Sequence, residues 1–298
     1  MSTVPSSGDG TRRTVTPFGA RLAAAMDAHG PLCVGIDPHA ALLSDWGLPD
    51  TPAGLREFSL RVVEALGGRV AAVKPQSAFF ERHGSHGIAV LEETLAALRQ
   101  AGTLAVLDVK RGDIGSTMNG YAQAYLADGA PLAADAITVC PYLGYGSLEP
   151  ALEMAARTGR GVFVLALTSN PEGAAVQHAR SPQGRAVAAD VVAGVTQSNA
   201  RARAAGVLGS VGLVVGATIG DAVHALDLDL VAADAPLLAP GVGAQGAGAA
   251  ELQVVFGPAR VNVLASTSRG VLRAGPATAD LRTAAARAAA EAATALRR

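Results

Sequence analysis

Charge of either sign is scarce in this chain, and neither sign prevails. Charged residues make up 16% of its 298 residues, and the formal net charge is -1. Such a surface has no footprint for a polyanion, so nucleic acid is not an expected partner. The arginines near the C-terminus (Arg282, Arg287, Arg297, Arg298) read instead as a helix end favoured by the helix dipole. Cysteine is nearly absent. Cys33 and Cys140, both in apolar strand-like contexts, make no disulfide framework and no metal knuckle, which points to a reducing compartment. His39, His83, His86, His178 and His224 show no ligand spacing and are expected at the surface. No apolar run reaches membrane-spanning length. Residues 1–17 are polar, rich in Ser, Gly and Thr, without the apolar core of a signal peptide. The expectation is a soluble cytoplasmic protein with a flexible leader over 1–16 and a single domain over 17–298, bound to no membrane.

Hydrophobic residues make up 50% of the chain, enough to bury a large core. Short β-branched runs recur at 32–36, 70–73, 104–109, 136–139, 162–167, 213–215, 236–238 and 261–265. Amphipathic stretches separate them, at 55–66, 88–101, 147–157, 185–205 and 217–226, and 279–296 closes the chain. Strand–helix alternation at this spacing implies a parallel sheet. Eight such units over this length predict a single α/β domain, a (β/α)8 TIM barrel with a polar N-terminal extension. An open doubly wound sheet is the alternative, but the early G-x-G-x-x-G fingerprint it often carries is absent.

Barrel enzymes keep their active sites at the C-terminal strand ends. Polar residues fall there on nearly every strand. Asp37 ends the first, Lys74 the second, Asp108 and Lys110 the third, and Thr168 and Ser169 the fifth. Pro240-Gly-Val-Gly-Ala-Gln-Gly246 follows the seventh, and Ser266-Thr-Ser-Arg269 the eighth. The most informative segment is Asp108-Val-Lys-Arg-Gly-Asp-Ile-Gly-Ser-Thr117. Strand alternation puts Val106, Asp108 and Lys110 on one face, and Asp113 follows beyond the strand end. Burying such charges costs several kcal/mol per ion, on the order tolerated where charge does chemistry.

A structural salt-bridge network is the plainer reading of an isolated Asp-x-Lys pair. The company of Asp113, Thr117, Asp37 and Lys74 on one rim favours chemistry. A lysine held by carboxylates is favoured in its protonated form, which suits proton donation. A Schiff-base lysine would want a desolvated pocket with few acids. The Gly-rich loop around Gly243 and Gln245, with Arg269 after the eighth strand, suits a phosphate. The loop opening at Thr168 either closes over a ligand or is a simple Asn-Pro turn. Tyr142 and Tyr145 read as rim packing.

Together these residues resemble the orotidine 5'-phosphate decarboxylase family. Asp37, Lys74, the D-x-K-x-x-D set Asp108/Lys110/Asp113, Ser169-Asn-Pro, the 240–246 loop and Ser268-Arg269 carry the resemblance. Segments 18–48, 73–81 and 138–144 are similar to its longer, actinobacterial-type (type 2) branch, and the likeness covers about residues 17–273. Cys140 departs from it, standing where the branch has Asn.

The resemblance implies conversion of orotidine 5'-phosphate to uridine 5'-phosphate and CO2 in pyrimidine biosynthesis, with no cofactor and no metal. Lys110 would protonate C6 and Asp108 would sit beside the departing CO2. Asp37 and Lys74 would hold ribose hydroxyls, with Lys74 joining the charge network. Ser169 would read the pyrimidine edge. Gln245, Arg269 and backbone N–H groups near Gly243 would grip phosphate. A homodimer is implied, with Asp113 and Thr117 reaching the partner's site.

Two rivals remain at this level. A metal-dependent sugar-phosphate lyase of the same superfamily would want a second-strand glutamate, where this chain has Lys74. A non-catalytic nucleotide-binding barrel would have lost one of Lys110, Asp108, Asp113 or Lys74, and all are present.

Overall fold

The computed structural model describes residues 15–242 and 246–296. Gly243, Gln245, leader positions 1–14, Arg297 and Arg298 lie outside the described residues. The β-branched runs pair in chain order into a closed parallel barrel of eight strands, as the alternation predicts. These are β1 (Leu32–Ile36), β2 (Ala72–Pro75), β3 (Leu104–Arg111), β4 (Ala136–Val139), β5 (Gly161–Leu167), β6 (Val211–Val215), β7 (Leu237–Pro240) and β8 (Val263–Thr267). Closure runs through β1 and β8, with Cys33 opposite Ser266. Among the described residues no helix is long and apolar enough to cross a membrane.

The expected strand positions hold for β1 and β4 and slide by up to two residues elsewhere. In β2, pairing starts at Ala72 opposite Cys33, so residues 70–71 are buried lead-in. In β8, a 3-10 turn (Gly257–Asn262) opened by Pro258 takes the first two expected residues. The 185–205 helix breaks at Asn199, between Val187–Ser198 and Ala200–Ala204. The Asn199 amide is buried and donates to the carbonyls of Val211 and Ala233, tying the break to β6. Of 217–226 only Ala222–Ala225 is helical.

Two unforeseen helices matter more. Gly115–Leu126 follows β3 and buries Met118, Ala122, Tyr125 and Leu126, one face of a helix, despite an opening of poor helix formers. Phe18–His29 buries Phe18, Leu22 and Met26, spaced four apart. Its Gly19 approaches the Leu208 carbonyl so closely that an added Cβ would lie 2.1 Å from that oxygen.

The alternation of each strand separates two cores. Outward residues such as Val34, Val73, Leu107, Ile137, Val164, Leu213 and Val263 pack under the helices. Cys33, Ala72, Val106, Ala136, Phe163, Val214, Leu238 and Leu264 form a second cluster inside the barrel, joined by Phe18, Leu22 and Met26. Phe18 meets Phe163 edge to face, with ring centroids 5.9 Å apart. The helix Phe18–His29 thus stoppers the N-terminal end. Two residues further along the same strands the interior turns polar.

Candidate active site

Asp37, Lys74, Asp108, Thr138 and Ser266 each lie two residues beyond an interior position or one strand layer further along, at the C-terminal end of the barrel. They line a cleft of about 410 Å³ together with Gln76, Lys110, Ser169, Asn170 and Ser268. Leu165, Val214 and Leu238 form its apolar floor.

Asp108 is the hub. Its side chain is 8% exposed, and the carboxylate takes three side-chain bonds. Lys74 Nζ donates to Oδ2 at 2.9 Å, Lys110 Nζ to Oδ1 at 2.7 Å, and Thr138 Oγ1 to Oδ1 at 2.8 Å. Burial alone would raise the Asp108 carboxyl, but the charges and hydrogen bonds of Lys74 and Lys110 overcome it and hold the group down at about 2. Burial likewise opposes the charge on Lys74, yet Asp108 and then Asp37 outweigh it and raise its pKa above the usual lysine value. Lys74 also donates to Gln76 Oε1 at 3.3 Å. A buried ion pair is tolerable because both ions have more than one partner.

The two lysines are not equivalent. The Lys74 side chain is 9% exposed, whereas that of Lys110 is 47% exposed and reaches into the open cleft. Lys110 also has a positive φ of 45°. That conformation is rare for a residue with a Cβ and costs of order 1–3 kcal/mol. It occurs where the β3–β4 register shifts between Leu107 and Arg111. Without the shift, simple alternation would continue straight through Lys110.

Two polar side-chain atoms of residues that line the cleft have no hydrogen-bond partner in the protein. Asp37 Oδ1 and Ser268 Oγ are buried and unbonded. They face each other across Gly35, where an added Cβ would lie 3.0 Å from both Asp37 Oδ2 and Ser268 Cβ. Buried polar groups are normally paired, so such orphans suit a ligand bearing hydroxyls or other polar atoms. Cys33 lies beneath this layer, and burial pushes its thiol up to about 12, so it stays neutral.

Other expected positions fall elsewhere. Asp113 is half-buried outside the cleft lining, with Oδ1 accepting from the Ile114 N–H at 2.8 Å. Thr117 is exposed on the helix Gly115–Leu126. Arg269 is exposed at the start of the short helix Arg269–Leu272, outside the lining of this cleft. Ser169 lines the cleft at its edge. The loop behind it is tied down by Gln177, which accepts from Thr168 N at 2.9 Å and donates to Thr168 Oγ1 at 2.7 Å.

Sequence reasoning overlooked Thr138 and Gln76. Both carried a signal: Thr138 is the only polar residue of β4, and Gln76 follows Lys74 at the strand period of two. Two expectations need correction. Tyr142 does not pack the rim but is 75% exposed, in the turn that follows Pro141. Tyr145 does pack, with its ring against Gly194 and its hydroxyl 2.7 Å from Ser198 Oγ. His83 is not a surface residue. Its side chain is 11% exposed, 3.5 Å from Asp50, while the other four histidines named are exposed. Among the described residues no group of three or more His, Cys, Asp or Glu side chains is arranged to hold a metal ion.

Residues 30–284 match the profile of the Orotidine 5'-phosphate decarboxylase / HUMPS family. The chain is 63% identical over 268 residues to an orotidine 5'-phosphate decarboxylase of Salinispora arenicola, covering 90% of this chain and 94% of that one. It is 59% identical over 280 residues to that of Streptomyces coelicolor, covering 94% and 98%. A solved Streptomyces avermitilis structure assigned to orotidine 5'-phosphate decarboxylase superposes with a TM-score of 0.89 at 60% identity, covering 95% and 97%. A Leishmania donovani OMP decarboxylase does so with 0.72 at 33% identity, covering 95% and 100%. With its barrel, its lysine–carboxylate rim and its similarity all spanning the same residues, this chain belongs to the orotidine 5'-phosphate decarboxylase / HUMPS family.

Proposed function

We propose that this protein decarboxylates orotidine 5'-phosphate to uridine 5'-phosphate in pyrimidine biosynthesis, with Lys110 as the proton donor to C6. The observation that carries the reading is the Lys74–Asp108–Lys110 array, two ammonium groups on one buried carboxylate at the cleft, with Lys110 much the more exposed. In the step, the bond from C6 to the carboxylate breaks and CO2 leaves. The electron pair stays on C6 and takes the proton of the Lys110 ammonium, which regains one from solvent. No electron acceptor is required.

Fixed charge supplies the driving term. A positive Lys110 stabilises developing negative charge at C6, and it is held in place before reaction, so no solvent need reorganise. Asp108 beside the substrate carboxylate disfavours the charged reactant relative to neutral CO2. Leu165, Val214 and Leu238 offer that neutral product an apolar surface. Asp37 and Lys74 would hold the ribose, which supplies the partners that Asp37 Oδ1 lacks. Ser169 would read the pyrimidine edge. Arg269, Gln245 and the backbone near Gly243 would grip the phosphate.

The reading includes a cytoplasmic homodimer in which Asp113 and Thr117 complete the partner's cleft. Supporting it, Ile114, Tyr142 and Leu143 are 62%, 75% and 52% exposed, an unusual apolar grouping beside Asp113. The two segments leave the barrel side by side, where Cys140 N–H donates to the Arg111 carbonyl at 2.8 Å.

The test is the ultraviolet absorbance of orotidine 5'-phosphate with purified protein in EDTA. Turnover unaffected by the chelator is expected. Turnover restored only by Mg2+ would favour a metal-dependent relative, and binding of uridine 5'-phosphate without any turnover a non-catalytic barrel. Mixing inactive Lys110→Ala and Asp113→Ala subunits should restore activity, because a hybrid dimer has one site with both native groups. No recovery in proven hybrids would remove the shared site.

A further inference from the structure

One hydroxyl joins the two groups that the proposed reaction uses. Thr138 is 1% exposed and lies on β4, opposite the register shift in β3. Its Oγ1 accepts the Lys110 backbone N–H at 3.0 Å and donates to Asp108 Oδ1 at 2.8 Å. A hydroxyl can do both at once, which a methyl or a carboxylate cannot.

The need for this bridge follows from the backbone. Regular pairing runs from Val106 opposite Ala136 to Leu107 opposite Ile137, and resumes only at Arg111 opposite Val139. The Lys110 N–H falls inside that break, where the ladder supplies a side-chain oxygen in place of a carbonyl. It is also the residue with the positive φ of 45°. A strained conformation persists when its surroundings over-determine it. Thr138 is one such determinant. The same hydroxyl sets the rotation of the Asp108 carboxylate, since Oδ1 is shared with Lys110 Nζ at 2.7 Å.

Resting on the decarboxylase reading, we propose that Thr138 is a positioning residue that fixes the Lys110 backbone and the Asp108 carboxylate relative to each other. Among the described residues, the charged and titratable groups around Asp108 and its lysines are Lys74 from β2, Lys110 from β3, Cys33 from β1 and Asp37 just beyond the end of β1. From β4 only Thr138 reaches it, and Thr138 does not titrate. Removing the hydroxyl therefore withdraws a donor from ionised Asp108 and leaves every surrounding charge in place.

The experiment compares wild type, Thr138→Val and Thr138→Ser, each checked for fold by thermal melting and uridine 5'-phosphate affinity. Valine keeps the shape and loses the hydroxyl; serine keeps the hydroxyl. Losing a hydrogen bond to a charged group predicts a drop in kcat of about ten- to a hundredfold for Thr138→Val, with KM changed by less than about threefold. The acid limb of its kcat profile should move to higher pH, because Asp108 is easier to protonate. Thr138→Ser should return kcat to within a few-fold and restore the limb. A folded Thr138→Val with wild-type kcat and pH profile would overturn the proposal. So would equal impairment of both variants, which would mark a packing role for the methyl group. If wild type itself fails to decarboxylate, the decarboxylase reading falls and this inference falls with it.

Discussion

The barrel interior is one continuous column with two ends built from the same strands. At the N-terminal end Phe18, Leu22, Met26 and Phe163 are at most 1% exposed and fill the column with hydrocarbon. At the C-terminal end Asp37, Lys74, Asp108 and Lys110 surround a cleft of about 410 Å³. The step from one to the other is two residues along a strand, as from Val106 to Asp108 or from Ala72 to Lys74. A sealed apolar end contributes stability through burial and close packing. A charged end surrenders some stability, since buried ions are desolvated and orphan polar atoms remain. The difference shows how one fold separates the scaffold from the chemistry with no change of topology.

The comparison can be broken at either end. Asp108→Ala should have the largest effect, because it strips both lysines of their shared partner. Leaving Lys74 buried without its hydrogen-bonded counter-charge, with only Asp37 nearby, predicts a loss of about 3–5 kcal/mol in stability by urea titration. Decarboxylation should fall by at least about a thousandfold in the fraction that folds. Phe163→Ala attacks the opposite end and should cost about 3–4 kcal/mol of stability. Its kcat per folded molecule should stay within about threefold of wild type, and a larger fall would show that the ends are coupled.

Acid should distinguish the ends more gently. The Lys74 and Lys110 ammonium groups hold the Asp108 carboxyl well below the usual carboxylate range, at about 2. Its stabilising contribution, roughly 2 kcal/mol, is therefore complete above about pH 4 and lost as pH falls toward 2. The stability gap between Phe163→Ala and wild type should hold across that range, while the gap for Asp108→Asn should narrow. The smallest effect should come from outside the column. Thr51 caps the helix Pro52–Leu66 by accepting from Gly54 N at 3.4 Å, and Thr51→Ala should cost about 1 kcal/mol without altering turnover.

The barrel and most of its rim were legible because strand period and charge placement are local signals. Alternation puts Lys74 and Asp108 on the interior face of neighbouring strands, and the lysine side chain spans the two-residue offset in register. What stayed hidden depended on tertiary context. Gly115–Leu126 begins with Gly, Ser and Thr and is helical because Met118, Ala122, Tyr125 and Leu126 find a core. The positive φ of Lys110 arises from a register shift that no residue type announces. Phe18–His29 was not foreseen as a helix, because its apolar face has a partner, and its role as a stopper exists, only once the barrel has closed. Thr138 was readable but is a single hydroxyl in an apolar strand, the kind of residue that more often serves packing.

Lys110→Ala against wild type, with orotidine 5'-phosphate in EDTA and uridine 5'-phosphate affinity measured in parallel, tests the central claim most directly. If Lys110 supplies charge and a proton to the transition state, kcat should fall by more than about a thousandfold while product affinity changes by less than about tenfold. A folded Lys110→Ala protein that retains turnover within about tenfold of wild type would contradict the claim.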